Sequence, residues 1–217
     1  MKACCDIPFI CSAENKSDED LVLLFNEGGD WAFKELMERH SKKVLNYLNR
    51  MVYDRDRAQD LLQETFVRVF RNIERFDTSR KFSTWLYTIA TNLAKNELRA
   101  VSLSPLLFFH DLFFHHKYRL MFEAADQAAG PDDQLYRSQL RDLVARAVRE
   151  LPAHHRLVFS LREIEGKTYR EIAEILGCGI GTVKSRLNRA RKIFAGIIEP
   201  YLAVTREPPR ACRRASV

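Results

Sequence analysis

From Ser17 to about Arg99 the apolar residues recur at spacings of three and four, and no segment alternates convincingly with a period of two, so the pattern predicts helices throughout. The first, DEDLVLLFNEGGD, begins behind Ser17 and stops at Gly28 and Gly29. Asp30 is placed to cap the second, in which Phe33, Leu36, Met37, Val44, Leu45 and Leu48 form a stripe for burial. A third runs from about Asp56 to Asn72 with Ala58, Leu61, Leu62, Phe66, Val69 and Phe70 inward. A fourth follows FDTSRKFS and carries Trp85, Leu86, Ile89, Ala90 and Leu93. Four more helices are expected from about Leu135 to Tyr201, the second opening at Pro152, where a missing N–H costs least. The expected fold is all-α: two small helical domains joined by a linker.

The C-terminal segment GKTYREIAEILGCGIGTVKSRLNRARK has the most definite internal logic. Thr168 with Glu171 three positions on makes a capping box, and Ile172, Ala173 and Leu176 share one helical face. Gly177 ends that helix. After the Gly177-Cys178-Gly179 turn, Val183, Leu187, Ala190, Phe194 and Ile197 recur at helical spacing, while Lys184, Ser185, Asn188, Arg189 and Lys192 fall on other sides. A short helix, a glycine turn and a basic second helix form the helix-turn-helix pattern, whose second helix enters the major groove of DNA. A phosphate-binding loop is excluded, because Val183 rather than glycine precedes Lys184 and the preceding segment has helical period.

Charge agrees with this placement. The chain of 217 residues carries a formal net charge of +6. Residues 1–40 hold four basic and nine acidic residues, whereas residues 181–217 hold nine basic and two acidic. The positive potential therefore gathers where the recognition helix lies, which favours approach to phosphate. The cysteines at positions 4, 5, 11, 178 and 212 form no CxxC pair, and the N-terminal apolar run is too short and broken for a secretory signal. Free thiols and a cytoplasmic location are expected. No metal or cofactor is expected.

Composition also sets the domain boundaries. An N-terminal extension is expected at 1–16, a first domain at 17–100, a linker at 101–133, the helix-turn-helix domain at 134–202 and a basic, proline-rich tail at 203–217. The linker is unusual: Leu106, Leu107, Phe108, Phe109, Leu112, Phe113, Phe114, Leu120, Met121 and Phe122 are too apolar to stay solvated. His110, Asp111, His115, His116 and Lys117 interrupt it well short of the ~20 residues a membrane span needs, so no membrane insertion is expected. An amphipathic helix docking on a domain or a partner is the reading the pattern favours over a histidine metal site.

Two blocks carry a family resemblance. DRAQDLLQETFVRVFRNIERFDTSRKFSTWLYTIATNLAKNELR and LPAHHRLVFSLREIEGKTYREIAEILGCGIGTVKSRLNRAR, in that order, resemble the second and fourth conserved regions of bacterial RNA polymerase sigma factors of the extracytoplasmic-function (ECF) branch. Together they cover about two fifths of the chain. The resemblance implies a protein that binds core RNA polymerase and directs promoter-specific initiation, with the first domain opening the −10 element and the second reading the −35 element. It leaves room for an anti-sigma factor as a further partner. The apolar linker departs from the polar linkers of the family.

The resemblance also distributes the site residues. Asp60, Gln63, Glu64, Arg68 and Arg71 stay polar once the apolar stripe of the third helix is assigned, as a rim around a polymerase interface would. Asn72, Phe76, Asp77, Ser79, Lys81, Phe82 and Thr84 align with the family's −10 specificity loop, and Asn92 with a promoter-reading helix. Lys95 and Arg99 are phosphate candidates. Trp85, Ile89 and Phe82 sit at helical spacing with other apolar residues and read better as core. Lys184, Ser185, Asn188 and Arg189 match the −35 reading positions, where Arg pairs with guanine and Asn with adenine. Arg186, Arg191 and Lys192 suit phosphate. Thr168 and Tyr169 have two readings, backbone contact or capping and packing.

Two other classes fit the residues less well. A stand-alone helix-turn-helix regulator leaves the Asp60 helix and FSTWLYTIATN without purpose. An enzyme lacks a nucleophile–base pair, a metal cluster or a phosphate loop in the sequence.

Overall fold

The computed structural model describes residues 16–103 and 131–205, with side chains described for 16–100 and 138–201. Eight α-helices and no strand occur among them. The chain forms two compact units whose main boundary falls between Asn96 and Glu97.

The first unit contains α1 (Asp18–Asn26), α2 (Asp30–Val52), α3 (Arg55–Asn72) and most of α4 (Phe82–Leu103). Ser17 caps α1 with a reciprocal box: its hydroxyl accepts from the Asp20 amide, and the Asp20 carboxylate accepts from the Ser17 amide. Asp30 does not cap α2. Gly28 takes φ +98° and the Gly29 amide donates to Leu24 O at 3.0 Å, so the turn uses both glycines, Gly29 becomes the cap and Asp30 the first helical residue. Its carboxylate instead favours the positive end of the helix dipole. Asp54 caps α3 through the Arg57 amide at 3.0 Å. A 3-10 turn, Ile73–Arg75, then leads into the loop before α4.

Leu36, Val44 and Leu48 of α2, Leu61, Phe66 and Val69 of α3, and Leu86, Ala90 and Leu93 of α4 are buried as their spacing predicts. Large side chains of this kind contribute roughly 1.5–3 kcal/mol each on burial. The buried polar pair is matched: Tyr47 Oη and Thr91 Oγ1 lie 2.8 Å apart across α2 and α4. Met37 and Phe70 depart from the predicted stripes. They are 37% and 54% exposed, while Ala32, His40, Tyr47 and Met51 complete the buried face of α2.

The second unit contains α5 (Pro131–Glu150), α6 (Ala153–Phe159) continuing into a π-helical turn (Ser160–Ile164), α7 (Tyr169–Leu176) and α8 (Ile180–Thr205). Helix α5 begins before the expected Leu135, with Pro131 at its first position followed by two aspartates. Pro152 is the cap of α6 rather than its first residue, its carbonyl accepting the His155 and Arg156 amides. Leu143, Ala147 and Ile198 form a core with Val144, Phe194 and Ile197 packed on it, and Phe159 stacks near Phe194 at 4.7 Å. The expected linker packing, the N-terminal cysteines, Cys212 and the linker histidines lie outside the described residues.

Candidate functional site

In the first unit, α3 and α4 together create a concavity of about 320 Å³ lined by Arg68, Asn72, Arg75, Trp85, Ile89 and Asn92. The spacing explains the convergence. Residues 68, 72 and 75 stand at i, i+4 and i+7 along one segment, and residues 85, 89 and 92 repeat that interval along α4. Asn72 Nδ2 donates to Arg68 O at 2.8 Å, which fixes the amide at the rim. Two guanidinium groups, two side-chain amides and an indole face surround a volume suited to a planar base with its phosphates.

The preceding loop is held by its own hydrogen bonds and rings. The Asp77 carboxylate accepts the Ser79 amide at 3.0 Å, and hydrogen bonds from Ser79 keep this carboxyl below the usual carboxylate range. Phe76 lies 4.9 Å from Trp85 and 5.9 Å from Phe82, ring centre to ring centre. Phe82 is fully buried, in line with its core reading, and Trp85 is partly exposed at the concavity. Thr84 corrects the sequence reading: it is 2% exposed, so its hydroxyl faces the interior and cannot serve as a DNA contact in this conformation. Ser79, Lys81, Asn92 and Arg99 are exposed, and Lys95 is partly so.

The expected polymerase-facing residues Asp60, Gln63, Glu64, Arg68 and Arg71 are all exposed on α3. Arg57 reaches Asp60 at 3.6 Å, and Arg68 Nε donates to Glu64 Oε1 at 2.7 Å. Arg68 therefore belongs both to this polar face and to the concavity. Sequence reasoning missed Arg75, whose signal was the repeated spacing. It also missed an apolar surface: Val67 is 42% exposed, and Phe70 forms a cluster with Phe25 and Phe33 at centroid distances of 5.2–5.6 Å. Phe70 meets Phe25 of α1 and Phe33 of α2 on one side only and is left 54% exposed.

In the second unit the capping box forms as predicted. Thr168 N and Oγ1 both donate to Glu171 Oε2, at 2.7 and 2.8 Å, and the Glu171 amide returns to Thr168 Oγ1 at 3.3 Å. That occupies the Thr168 hydroxyl with the cap. Gly177 adopts φ +64°, and the Cys178 amide donates to Ala173 O at 3.0 Å, a Schellman closure that side chains other than glycine rarely permit. Val183, Leu187 and Ala190 are buried, whereas Lys184, Ser185, Asn188, Arg189 and Lys192 are exposed on the opposite side of α8, and Arg186 is partly exposed. The two faces inferred from spacing are thus separated in space.

Three features shape the electrostatics around that helix. Arg191 is engaged by Glu163 of the π turn, receiving its carboxylate at both Nε and Nη2. Arg162 lies 5.0 Å over the Tyr169 ring and donates to Lys167 O at 2.9 Å, so Tyr169 makes a packing contact within the unit. His155, 7% exposed, is held below the usual histidine range by burial first, then by His154 and Arg189, with a hydrogen bond to the Arg186 backbone opposing the shift. No cluster of metal-binding side chains occurs among the described residues, and no helix there is long and apolar enough to cross a membrane.

Two helical units, one with a concavity lined by arginine, asparagine and tryptophan and one with a helix-turn-helix, are the features of a DNA-binding protein. Comparison with known proteins gives the family. The profile of Sigma-70 region 2 matches residues 36–102, and that of Sigma-70 region 4 matches residues 141–193. The chain is 34% identical over 198 residues to the ECF RNA polymerase sigma-E factor of Haemophilus influenzae, covering 88% of this chain and 100% of the relative. It is 33% identical to the protein of the same description from Escherichia coli K12, covering 88% of this chain and 98% of that one. The fold is shared with CnrH, solved in complex with the cytosolic domain of CnrY (TM-score 0.60, 22% identity, covering 85% and 99% of the two chains). It is shared too with the sigma factor RpoE of Bartonella quintana, solved with the anti-sigma factor NepR (TM-score 0.59, 24% identity, covering 77% and 96%). The chain belongs to the ECF branch of the RNA polymerase sigma factors. As a sigma factor it binds core RNA polymerase and promoter DNA and directs promoter-specific transcription initiation.

Proposed function

We propose that the first domain, residues 17–100, opens and reads the −10 element and that the second, residues 134–202, reads the −35 element, with 101–133 linking them and 1–16 and 203–217 as terminal extensions. The observation that carries the first assignment is the concavity lined by Arg68, Asn72, Arg75, Trp85, Ile89 and Asn92. A base leaving the stack costs a few kcal/mol in lost stacking and pairing, which an aromatic face and amide hydrogen bonds offset. Arg68, Arg75, Lys81, Lys95 and Arg99 supply cations for the phosphates, and Phe76, Asp77 and Ser79 shape the loop. The exposed row Lys184, Ser185, Asn188, Arg189 and Lys192 supports the second assignment, with Arg186 toward the backbone.

Core polymerase is placed on the α3 face. Phe70, Phe25, Phe33 and Val67 form an apolar centre, and Asp60, Gln63, Glu64, Arg68 and Arg71 form the polar rim that surrounds such centres in protein interfaces. The protein acts in the cytoplasm by binding, with no chemistry of its own. Like the two solved neighbours, each captured with a partner, it is held by an anti-sigma factor when inactive.

The test is reconstitution with core polymerase on a promoter that depends on this chain, with permanganate reactivity of −10 thymines as the readout. Trp85→Ala should lower opening about tenfold or more, the worth of one stacked base, and Asn92→Ala about fivefold, the worth of a lost hydrogen bond, while polymerase binding is retained. Normal opening by both variants would remove the concavity from the promoter interface.

A further inference from the structure

The three acidic residues that start α1 have separate tasks. Asp20 completes the cap with Ser17. Asp18 accepts from His40 Nε2 at 2.7 Å and from Arg39 at 3.3 Å, tying α1 to α2. Glu19 reaches across the unit: its Oε1 accepts the backbone amide of Phe82 at 2.8 Å. Phe82 is the first residue of α4. Its amide is one of the donors that a helix start leaves without an internal acceptor, and a carboxylate there also meets the positive end of the helix dipole. The cap of α4 therefore comes from a residue 63 positions earlier.

What this cap fixes is the loop side of the concavity. The buried Phe82 ring touches His40 at 5.6 Å, Phe76 at 5.9 Å and Trp85 at 6.0 Å, and Phe76 in turn lies 4.9 Å from Trp85. Rotation or fraying of the first turn of α4 would move Phe82 and, through it, both rings. Trp85 stands one turn further on, at the concavity. A catch on the Phe82 amide thus sets the position of the indole without touching DNA.

We infer that Glu19 is a positioning residue for promoter opening: by capping α4 from α1 it holds Phe76, Phe82 and Trp85 in the arrangement that receives an unpaired base. The inference rests on the −10 reading of the concavity given above. It makes α1, which contributes no residue to that concavity, a determinant of opening.

The experiment uses the full chain with core polymerase and compares Glu19→Ala, Glu19→Gln and Trp85→Ala. Three quantities are measured: affinity for core polymerase, binding of the holoenzyme to duplex promoter, and permanganate reactivity at −10. Glu19→Ala should lower opening by about fivefold to thirtyfold, the range for loss of a charge-assisted cap hydrogen bond, with polymerase affinity within about twofold. Glu19→Gln keeps an acceptor oxygen and should recover most of the opening. Equal losses in polymerase affinity and opening, or no recovery with Gln, would reduce Glu19 to a general stabiliser of the fold and overturn the inference. Loss of opening with Trp85→Ala but not with Glu19→Ala overturns the positioning role alone. Normal opening in both overturns the −10 reading and the inference with it.

Discussion

Glu163 holds Arg191 by a single carboxylate oxygen that accepts from Nε at 2.9 Å and from Nη2 at 2.6 Å. Both side chains are substantially exposed, Arg191 at 51% and Glu163 at 35%, so the pair adds little to stability, on the order of 0–1 kcal/mol. Its larger effect is on availability, since the sequence placed Arg191 among the phosphate contacts and the fold supplies an internal acceptor in place of phosphate. Glu163→Gln should release Arg191 and raise affinity for duplex promoter. If Arg191 then meets phosphate, the slope of log affinity against log salt steepens by about one unit. A salt titration by fluorescence anisotropy that gives the wild-type slope would show that Arg191 never reaches the backbone.

Arg189 occupies the exposed side of α8, opposite the buried Leu187 and Ala190. As a paired base contact, its loss in Arg189→Ala should weaken binding to the cognate −35 sequence by about 1–3 kcal/mol and relax discrimination at one base pair. Polymerase binding is expected to be unchanged. Uniform weakening across a panel of −35 variants would instead assign Arg189 to phosphate.

The helix-turn-helix was legible because each of its signals is local: a capping box across three residues, a glycine with positive φ, and apolar spacing along one helix. Thr168, Gly177, Val183 and Leu187 are all found where those signals put them. The first unit was legible as helices but less so as faces. Phe70 and Met37 have the spacing of core residues, and only the supply of neighbouring elements decides that they stay open. Thr84 failed for the converse reason, since alignment with a loop motif says nothing of the depth at which the chain enters α4. The Glu19 cap was invisible because it joins residues distant in sequence, and no periodicity encodes such a contact.

Phe70 is 54% exposed and rests by its ring against Phe25 and Phe33. Aromatic anchors at the centre of an interface commonly cost 2 kcal/mol or more when truncated, whereas polar rim residues cost about 1 kcal/mol or less. Phe70→Ala should therefore weaken core polymerase binding by roughly thirtyfold or more, and Arg71→Ala by about fivefold or less, with both variants folded. Competition for core polymerase against a labelled wild-type chain gives the ranking. A larger effect for Arg71 would move the interface centre away from the aromatic cluster.

His155 gives the second unit a pH dependence whose direction follows from its surroundings. Burial, then the charges of His154 and Arg189, lower its affinity for a proton below the ordinary value of 6.5. In the unfolded chain those influences vanish, so the unfolded state takes up the proton first as pH falls. Stability is therefore unaffected well above 6.5 and declines as pH drops through that value toward the lower folded one. The thermal transition of the second unit should move down between about pH 7.5 and about pH 5.5. His155→Gln, which retains a donor for the Arg186 backbone but does not titrate, should flatten that part of the profile relative to wild type. A variant whose melting temperature follows the wild-type pH curve would place the titration elsewhere in the chain.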